Sequence, residues 1–220
     1  MSVALQSDEV LLGEWFLNIE KNHGETLLPV VTSTLEMTGV TIRDVELLVV
    51  TLGPGSFTGL RVGASTAKGF ALATGVPIVG VSTLETLAMN LPNSPMAVCP
   101  MLDARKSEVY TALVRPQHDY GMELLIPEQV AAPAEFLEQI DKDVIFVGDG
   151  AVAYRDIIRK ALPHYSHFAA PHLNMIRAFS AGLLGLKKFR DGDTLNPVNF
   201  TPRYIRISEA EAKRRAEQDR

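Results

Sequence analysis

The chain has 220 residues, of which 46% are hydrophobic and 21% are charged, so it can form one large domain or two small ones around a sizeable core. Its net charge of -5 at pH 7 argues against a protein that holds nucleic acid through its overall field, but leaves open nucleic acid that a partner holds. The lone cysteine, Cys99, excludes an internal disulfide and a cysteine-rich metal site, and its apolar surroundings predict a core thiol.

The first part of the chain alternates between predicted strands and helices. Apolar runs and turn residues predict strands at 2–5, 10–19, 47–52 and 77–81, and helices at 25–38 and 58–74. Gly75 and Pro77 mark the end of the second helix. Ser82 and Glu85 form a capping-box pattern that predicts a further short helix to about residue 90. Strand, helix, strand, helix is typical of a parallel α/β fold.

A proline-rich stretch at 91–95 predicts a boundary, after which the element order is repeated. We predict strands at 96–103, 108–115, 123–126 and 144–148, and helices at 133–140, 151–162 and 175–190. A second capping box, from Ser208 to Glu211, predicts a charged terminal helix. The predicted organisation is an N-terminal subdomain at 1–95, a C-terminal subdomain at 96–200 and a tail at 201–220.

The stretch between the strand at 47–52 and the helix at 58–74 is rich in glycine and carries the candidate loop residues. These are Gly53, Pro54, Gly55, Ser56, Thr58, Gly59 and Arg61. The loop fails the dinucleotide pattern by one position and the nucleophile-elbow pattern by two, and the Walker pattern fails at its second glycine and at the Lys-Ser/Thr pair. Its hydroxyls can cap the following helix, and its amides could bind an anion. A capped tight turn is the favoured interpretation.

Two helices carry a candidate docking surface. In the helix at 25–38, Leu27, Val31 and Leu35 form an apolar stripe that Leu28, Val30 and Met37 widen. In the helix at 58–74, small residues recur every four positions, at Gly59, Gly63, Ala67 and Ala71, and Lys68 adjoins them. Such a ridge lets another backbone approach closely. The alternative is that both features pack inside this chain alone.

Other polar clusters are weaker candidates. A group of three histidines could bind a metal, or could simply lie in an irregular segment: His164, His167 and His172. Asp103, Arg105 and Glu108 around a predicted hairpin could form a polar site, or a solvated turn. Asp149 could bind a ribose, or could make the turn from a strand to a helix. No acid–base pair, complete triad or metal set emerges, so no catalytic residue and no metal ligand is predicted.

Several motifs together resemble the TsaB (YeaZ) family. They are GPGSFTGLRVG at 53–63, AKGFA at 67–71, PIVGVSTLETLA at 77–88, DARKSEVY at 103–110 and PRYIRISEAE at 202–211. The resemblance implies two actin-like (ASKHA, ribonuclease H-like) α/β subdomains. It also implies a further first strand, central in the first sheet and followed by an Asp-Thr-Ser-like turn. This sequence has no such segment ahead of Ser2, which we interpret as a misassigned start or a fragment.

The resemblance further implies a non-catalytic scaffold subunit in the threonylcarbamoylation of adenosine in tRNA. Its expected partners are a TsaD-type catalytic subunit, a TsaE-type ATPase and, without them, a second copy of itself, with tRNA reached only through the complex. We expect no cofactor on the chain alone and ATP at the level of the complex. Two alternatives remain: an actin-like ATP-dependent phosphotransferase, and a glycoprotease-like peptidase that uses Ser56. With no run of about 18 apolar residues and no signal peptide, we expect a cytoplasmic protein with no membrane contact.

Overall fold

The computed structural model describes residues 1–18 and 23–206. The strands are β1 (Ser2–Ser7), β2 (Val10–Phe16), β3 (Leu48–Gly53), β4 (Ile78–Ser82), β5 (Ala97–Asp103), β6 (Val109–Pro116), β7 (Met122–Ala131), β8 (Val144–Val147) and β9 (Ser166–Phe168). The helices are α1 (His23–Thr38), α2 (Phe57–Thr74), α3 (Thr83–Ala88), α4 (Pro133–Leu137), α5 (Asp149–Ala153), α6 (Arg155–Ala161) and α7 (Ala178–Arg190). The helix predicted from Ser208 lies outside the described residues.

The strands of the first subdomain form two separate ladders in the described part of the chain. β1 pairs with β2 in antiparallel fashion, and β3 pairs with β4 in parallel fashion, but β1 and β3 do not pair with each other. Helices cover both faces of these ladders. Val49 packs against Gly185 of α7 and the next residue, Val50, against Gly63 of α2, so the two helices lie on opposite faces of β3.

Helix α7 joins the two ladders, although it comes from the second half of the sequence. It packs against β1, β3 and β4. Its close approach to β3 needs glycine at position 185, because a Cβ atom there would lie 2.3 Å from the stiff side chain of Val49. On the other face, α1 packs against β1 and β2, and α2 packs against β3.

The second subdomain contains a five-stranded sheet in the order β7-β6-β5-β8-β9. Successive residues of β5 alternate between two cores: Cys99 and Met101 face the core beneath α4 and α6, whereas Val98 and Leu102 face the core beneath α3. Because both faces are covered, the central strands β5 and β8 are apolar along almost their whole length and show no clear alternation.

The predicted strands and helices before residue 207 are present, but β9 was not predicted, β7 is longer than the strand predicted at 123–126, and several other boundaries differ. The helix predicted at 151–162 is divided at Tyr154, whose φ of -106° and ψ of 19° leave the helical range. The last large helix begins at Ala178 and not at 175, because Arg177 is extended and its guanidinium reaches Glu14 of β2, with Nε donating at 2.8 Å. Among the described residues no helix has the length and apolar content that a membrane crossing requires.

Candidate functional site

The glycine loop between β3 and α2 is a helix-capping turn. Ser56 is the N-cap of α2, and its hydroxyl accepts a hydrogen bond from the Gly59 amide at 3.3 Å. At the other end of the helix Gly75 adopts a left-handed φ of 76° and donates its amide to the Ala71 carbonyl at 2.9 Å, as predicted. The Ser56 hydroxyl therefore has a structural task.

A segment near the end of the described chain lies directly over this loop. The Arg203 amide donates to the Leu52 carbonyl at 2.7 Å, and a Cβ atom at Gly53 would lie 2.4 Å from the Arg203 carbonyl oxygen. The rings of Phe57 and Tyr204 are 4.5 Å apart, and the Arg61 guanidinium lies 3.9 Å above the Phe57 ring. Gly53 is thus required for the close approach of the chain's own backbone.

The small-residue ridge of α2 faces inward. Ala71 is buried, and a Cβ atom placed on Gly63 would lie 3.8 Å from the Val50 side chain. Ala67 packs in a hydrophobic cluster that includes Leu48 and Val50 of β3. Lys68 is engaged within the chain, since its ammonium donates to the Val198 carbonyl at 3.3 Å. The ridge therefore provides internal packing between α2 and β3.

The apolar stripe of α1 also faces inward in part. Leu27, Val31 and Leu35 line a cavity of about 1280 Å³ between α1, α2, α7 and the two ladders. The same two helices also carry three large exposed apolar side chains, of which Leu28 and Met37 were placed beside the stripe in the sequence analysis. They are Leu28, Met37 and Leu72, with exposed fractions of 52%, 77% and 62%. The one predicted interface side chain that is clearly exposed is Leu28.

A second cavity, of about 500 Å³, lies between the two subdomains. It is lined by the glycine loop, by the hairpin residues Asp103 to Lys106, by Asp149 and by 203–206. The Asp149 carboxylate accepts hydrogen bonds from the amides of Asp103 at 3.0 Å and Gly150 at 2.8 Å, which supports the strand-to-helix turn as its role. Burial raises the pKa of Asp149, and the two backbone hydrogen bonds oppose that effect.

Basic side chains around this second cavity are paired with carboxylates. Arg203 binds Glu128, whose side chain is only 5% exposed, and Arg206 binds Glu108. Glu128 also accepts a hydrogen bond from Ser82, the N-cap of α3. The roles of Glu128 and Arg203 were missed in the sequence because they are separated by 75 positions and lie in no shared motif.

The histidine group does not form a metal site among the described residues. The His167 imidazole lies 2.9 Å from the Asp143 carboxylate, and both side chains are about half exposed. In the hairpin, Arg105 donates its amide to the Asp103 side chain at 2.8 Å, as in a solvated turn. Neither cluster brings together groups for catalysis.

Comparison with known proteins gives consistent matches along the chain. The family model described as "TsaD: tRNA N6-adenosine threonylcarbamoyltransferase" matches residues 17–214. The "tRNA threonylcarbamoyladenosine biosynthesis protein TsaB" of Bacillus subtilis (strain 168) is 31% identical over 217 residues, which cover 97% of this chain and 92% of that protein. The protein of the same name from Escherichia coli (strain K12) is 35% identical over 164 residues, covering 71% and 69%. The solved structure of YeaZ from Pseudomonas aeruginosa has a TM-score of 0.80 and 27% identity, with coverage of 92% of this chain and 93% of that one.

Proposed function

The chain belongs to the TsaB (YeaZ) family, and from this premise we propose that it is a non-catalytic subunit in the biosynthesis of threonylcarbamoyladenosine in tRNA. The observation that carries the proposal is the similarity to the Bacillus subtilis protein, which extends over 97% of this chain and 92% of its relative. The actin-like α/β architecture, with a solved YeaZ neighbour at a TM-score of 0.80, supports it. The task of the subunit is to bind and position a TsaD-type transferase subunit.

The docking surface that we propose is the outer face of α1 and α2. These two helices pack against each other, and Leu28 and Leu72 remain exposed on them. Met37 is exposed as well, but it follows Leu28 by nine residues and so lies on the opposite side of α1. Exposed apolar side chains on a neighbouring pair of helices are typical of a protein–protein contact. The inward residues, such as Gly63 and Val31, support this surface from below by holding the helices on the ladders.

The test is complex formation with a purified TsaD-type subunit, measured by gel filtration and calorimetry. Leu28→Glu and Leu72→Glu place a charge in the proposed contact and should each weaken binding at least 30-fold, as expected for a buried hot spot that costs about 2 kcal/mol or more. The matched control is Leu124→Glu on β7, where the leucine is 47% exposed and lies far from α1 and α2 in the fold. Unchanged binding of both helix variants would refute the proposed surface.

Self-association through the same face is the state that we propose in the absence of the transferase subunit. Sedimentation of the isolated chain should then show a dimer that Leu72→Glu converts to a monomer. Addition of the transferase subunit should displace the dimer, because both partners compete for one surface. A TsaE-type ATPase and tRNA should join only after this heterodimer has formed, and binding of tRNA to the isolated chain would contradict that order.

ATP binding, we propose, requires the complex. The second cavity adjoins the glycine loop, and it is lined by Arg105, Lys106, Arg203 and Arg206. Four carboxylates offset these cations: Glu128 and Glu108 pair with Arg203 and Arg206, and Asp103 and Asp149 line the cavity. A triphosphate would meet little net positive charge in the chain alone. Calorimetry with ATP and magnesium should show no binding to the isolated chain and binding to the complex. Tight binding by the isolated chain would instead favour the actin-like phosphotransferase.

The peptidase alternative requires Ser56 to act as a nucleophile. Its hydroxyl is the N-cap acceptor of α2 and lies in an exposed position. A serine-reactive phosphonate probe should leave Ser56 unlabelled, since no neighbouring histidine lines the adjoining cavity to remove its proton.

A further inference from the structure

The edge strand β9 carries an aromatic ring at the border of the second sheet. β9 is the last strand in the order β7-β6-β5-β8-β9, and Phe168 at its end pairs with Phe146 of β8. The two rings are tilted by 34° with their centroids 5.8 Å apart, and they belong to the core beneath α4 and α6. Phe168 is therefore anchored from within the core, although its side chain is only partly buried.

Two guanidinium groups from helix α6 lie over the Phe168 ring. The Cζ atoms of Arg155 and Arg159 are 4.5 Å and 5.5 Å from its centroid, which is within the range of a cation–π contact. The two residues are four positions apart and so lie on the same side of the helix. Ile158 between them in the sequence is fully buried and fixes α6 on the core. We call Arg155 and Arg159 the arginine pair, and one ring orients both of its cations.

The charge of the arginine pair is not compensated within the described part of the chain. Neither guanidinium forms a hydrogen bond or an ion pair there. Asp156 on the same helix and Glu135 on α4, which packs against α6, pair with neither of them. Most other arginines of this part of the chain bind a carboxylate, namely Arg105, Arg115, Arg177, Arg190, Arg203 and Arg206.

Two neighbouring cations without a counter-charge favour the binding of an anion. Like charges four positions apart on a helix repel each other, and arginine cannot relieve that repulsion by losing its proton. The aromatic ring holds the guanidinium groups in place but does not neutralise them, so their N–H groups remain available as donors. Phosphate is the anion that suits this arrangement, because its oxygens accept several charge-assisted hydrogen bonds from guanidinium groups at once.

We propose that the arginine pair binds backbone phosphates of tRNA when the chain is part of the threonylcarbamoylation complex. The identity of the anion as tRNA rests on the proposed function, whereas the capacity of the arginine pair to bind phosphate does not. Phosphate contacts fix the position of a nucleic acid and carry no sequence information, which suits a subunit that does no chemistry on the bases. The arginine pair orients tRNA relative to the transferase subunit.

The arginine pair is separate from the docking surface proposed above. It lies on α6 and contacts β9, both in the second subdomain, and α6 packs on α4 and α5. The docking surface is formed by α1 and α2, which pack on the ladders of the first subdomain. A transferase subunit docked on α1 and α2 thus leaves the arginine pair accessible to RNA.

Two phosphate contacts are too few to hold tRNA on the isolated chain. The net charge of -5 repels RNA, and each neutralised phosphate contributes only about 0.7–0.9 to the slope of log K against log salt concentration. The contacts become effective once the transferase subunit supplies further ones, because linked contacts act at a high effective concentration. This agrees with the order of assembly proposed above, in which tRNA joins only after the heterodimer has formed.

The test measures binding of tRNA to the complex over a series of salt concentrations. The double variant Arg155→Gln/Arg159→Gln should weaken binding at least about fivefold and reduce the salt slope by about 1.4–1.8. Arg155→Lys/Arg159→Lys keeps both charges, so it should retain the slope and weaken binding less. The matched control is Arg115→Gln, because Arg115 is about half exposed and already paired with Glu123 at 3.2 Å, so that its loss should leave the slope unchanged. An unchanged slope in the double glutamine variant would overturn the proposal.

A second measurement uses the isolated chain and inorganic tripolyphosphate, so it does not depend on the transferase subunit. In heteronuclear NMR spectra at low salt, the Nε–Hε signals of Arg155 and Arg159 should shift saturably, whereas that of Arg115 should not. Absence of these shifts would overturn the phosphate site itself. Shifts without a change in the tRNA salt slope of the double variant would refute tRNA as the anion. Failure of the transferase subunit to bind in gel filtration would refute the proposed function, and the tripolyphosphate titration would still decide whether the arginine pair binds phosphate.

Discussion

Replacing Glu14 by glutamine removes the charge that ties β2 to the start of α7. The Glu14 side chain is 4% exposed, and its carboxylate accepts hydrogen bonds from Arg177 Nε at 2.8 Å, from the Phe179 amide at 3.2 Å and from the Ser2 hydroxyl at 3.2 Å. Burial opposes ionisation, but the hydrogen bonds and the charge of Arg177 outweigh it, so the pKa of Glu14 is lowered.

The expected loss of unfolding free energy follows from how far the side chains of Glu14 and Arg177 are exposed to water. Breaking a buried ion pair costs about 3–5 kcal/mol. Water can solvate the freed Arg177, whose side chain is 41% exposed. We therefore expect Glu14→Gln to lower the free energy of unfolding by about 2 kcal/mol, which is a fall of about 4–8 °C in melting temperature for a chain of this size.

The assay is thermal unfolding of both proteins across pH. A carboxyl with a lowered pKa in the folded state stabilises the fold above its unfolded value of about 4.3, and this contribution is lost as the pH falls through the folded-state pKa. The difference between wild type and Glu14→Gln should hence be full at pH 7 and shrink in acid. The control is Glu123→Gln, since Glu123 and Arg115 form a pair in which both side chains are about half exposed, and its loss should cost about 0.5 kcal/mol or less. Equal effects of the two variants, or a Glu14 difference that is as large at pH 3 as at pH 7, would refute the reasoning.

Three other predictions concern the core and the loop. Cys99 is buried and its pKa is raised to about 12 by burial, so a thiol reagent at pH 8 should modify it only in denaturant. Gly148→Ala should lower the free energy of unfolding by at least about 3 kcal/mol in a denaturant titration, because φ is 115° and the new Cβ would lie 2.2 Å from the Met101 carbonyl oxygen. The control is Gly39→Ala, which should cost about 1 kcal/mol because φ is 69° but the space around the residue is open. Tyr204→Ala removes the ring contact on α2 and should speed hydrogen exchange in the glycine loop; unchanged exchange would show that the segment at 203–206 does not hold the loop.

Local signals predicted the fold better than they predicted the surfaces. Ser56 and Gly75 delimit α2 because capping and left-handed termination depend on adjacent residues. The four-residue spacing of Gly63 and Ala67 correctly placed them on one face, but spacing does not reveal what that face meets. The structure shows that it meets β3 of the same chain.

Contacts between distant parts of the chain were beyond the sequence analysis. Glu14 and Arg177 are separated by 163 positions, and Arg61 and Tyr204 by 143. Each pair depends on how the two subdomains pack, and an isolated charge or ring in a sequence is usually a solvated surface residue. The predicted boundary of the first subdomain at residue 95 remains a prediction, and α7, from the second half, packs on the strands of the first.

The position of α7 has a consequence for how the protein is made. β4 ends at Ser82, but α7, which bridges the two ladders, ends only at Arg190. At about 5–20 residues per second, a ribosome needs roughly 5 to 20 s to cover that interval. During that time the apolar faces of β1 and β3 that α7 covers in the folded protein are exposed on the nascent chain. Nascent chains of this protein should therefore recruit a general holding chaperone until translation has passed residue 190, and then release it.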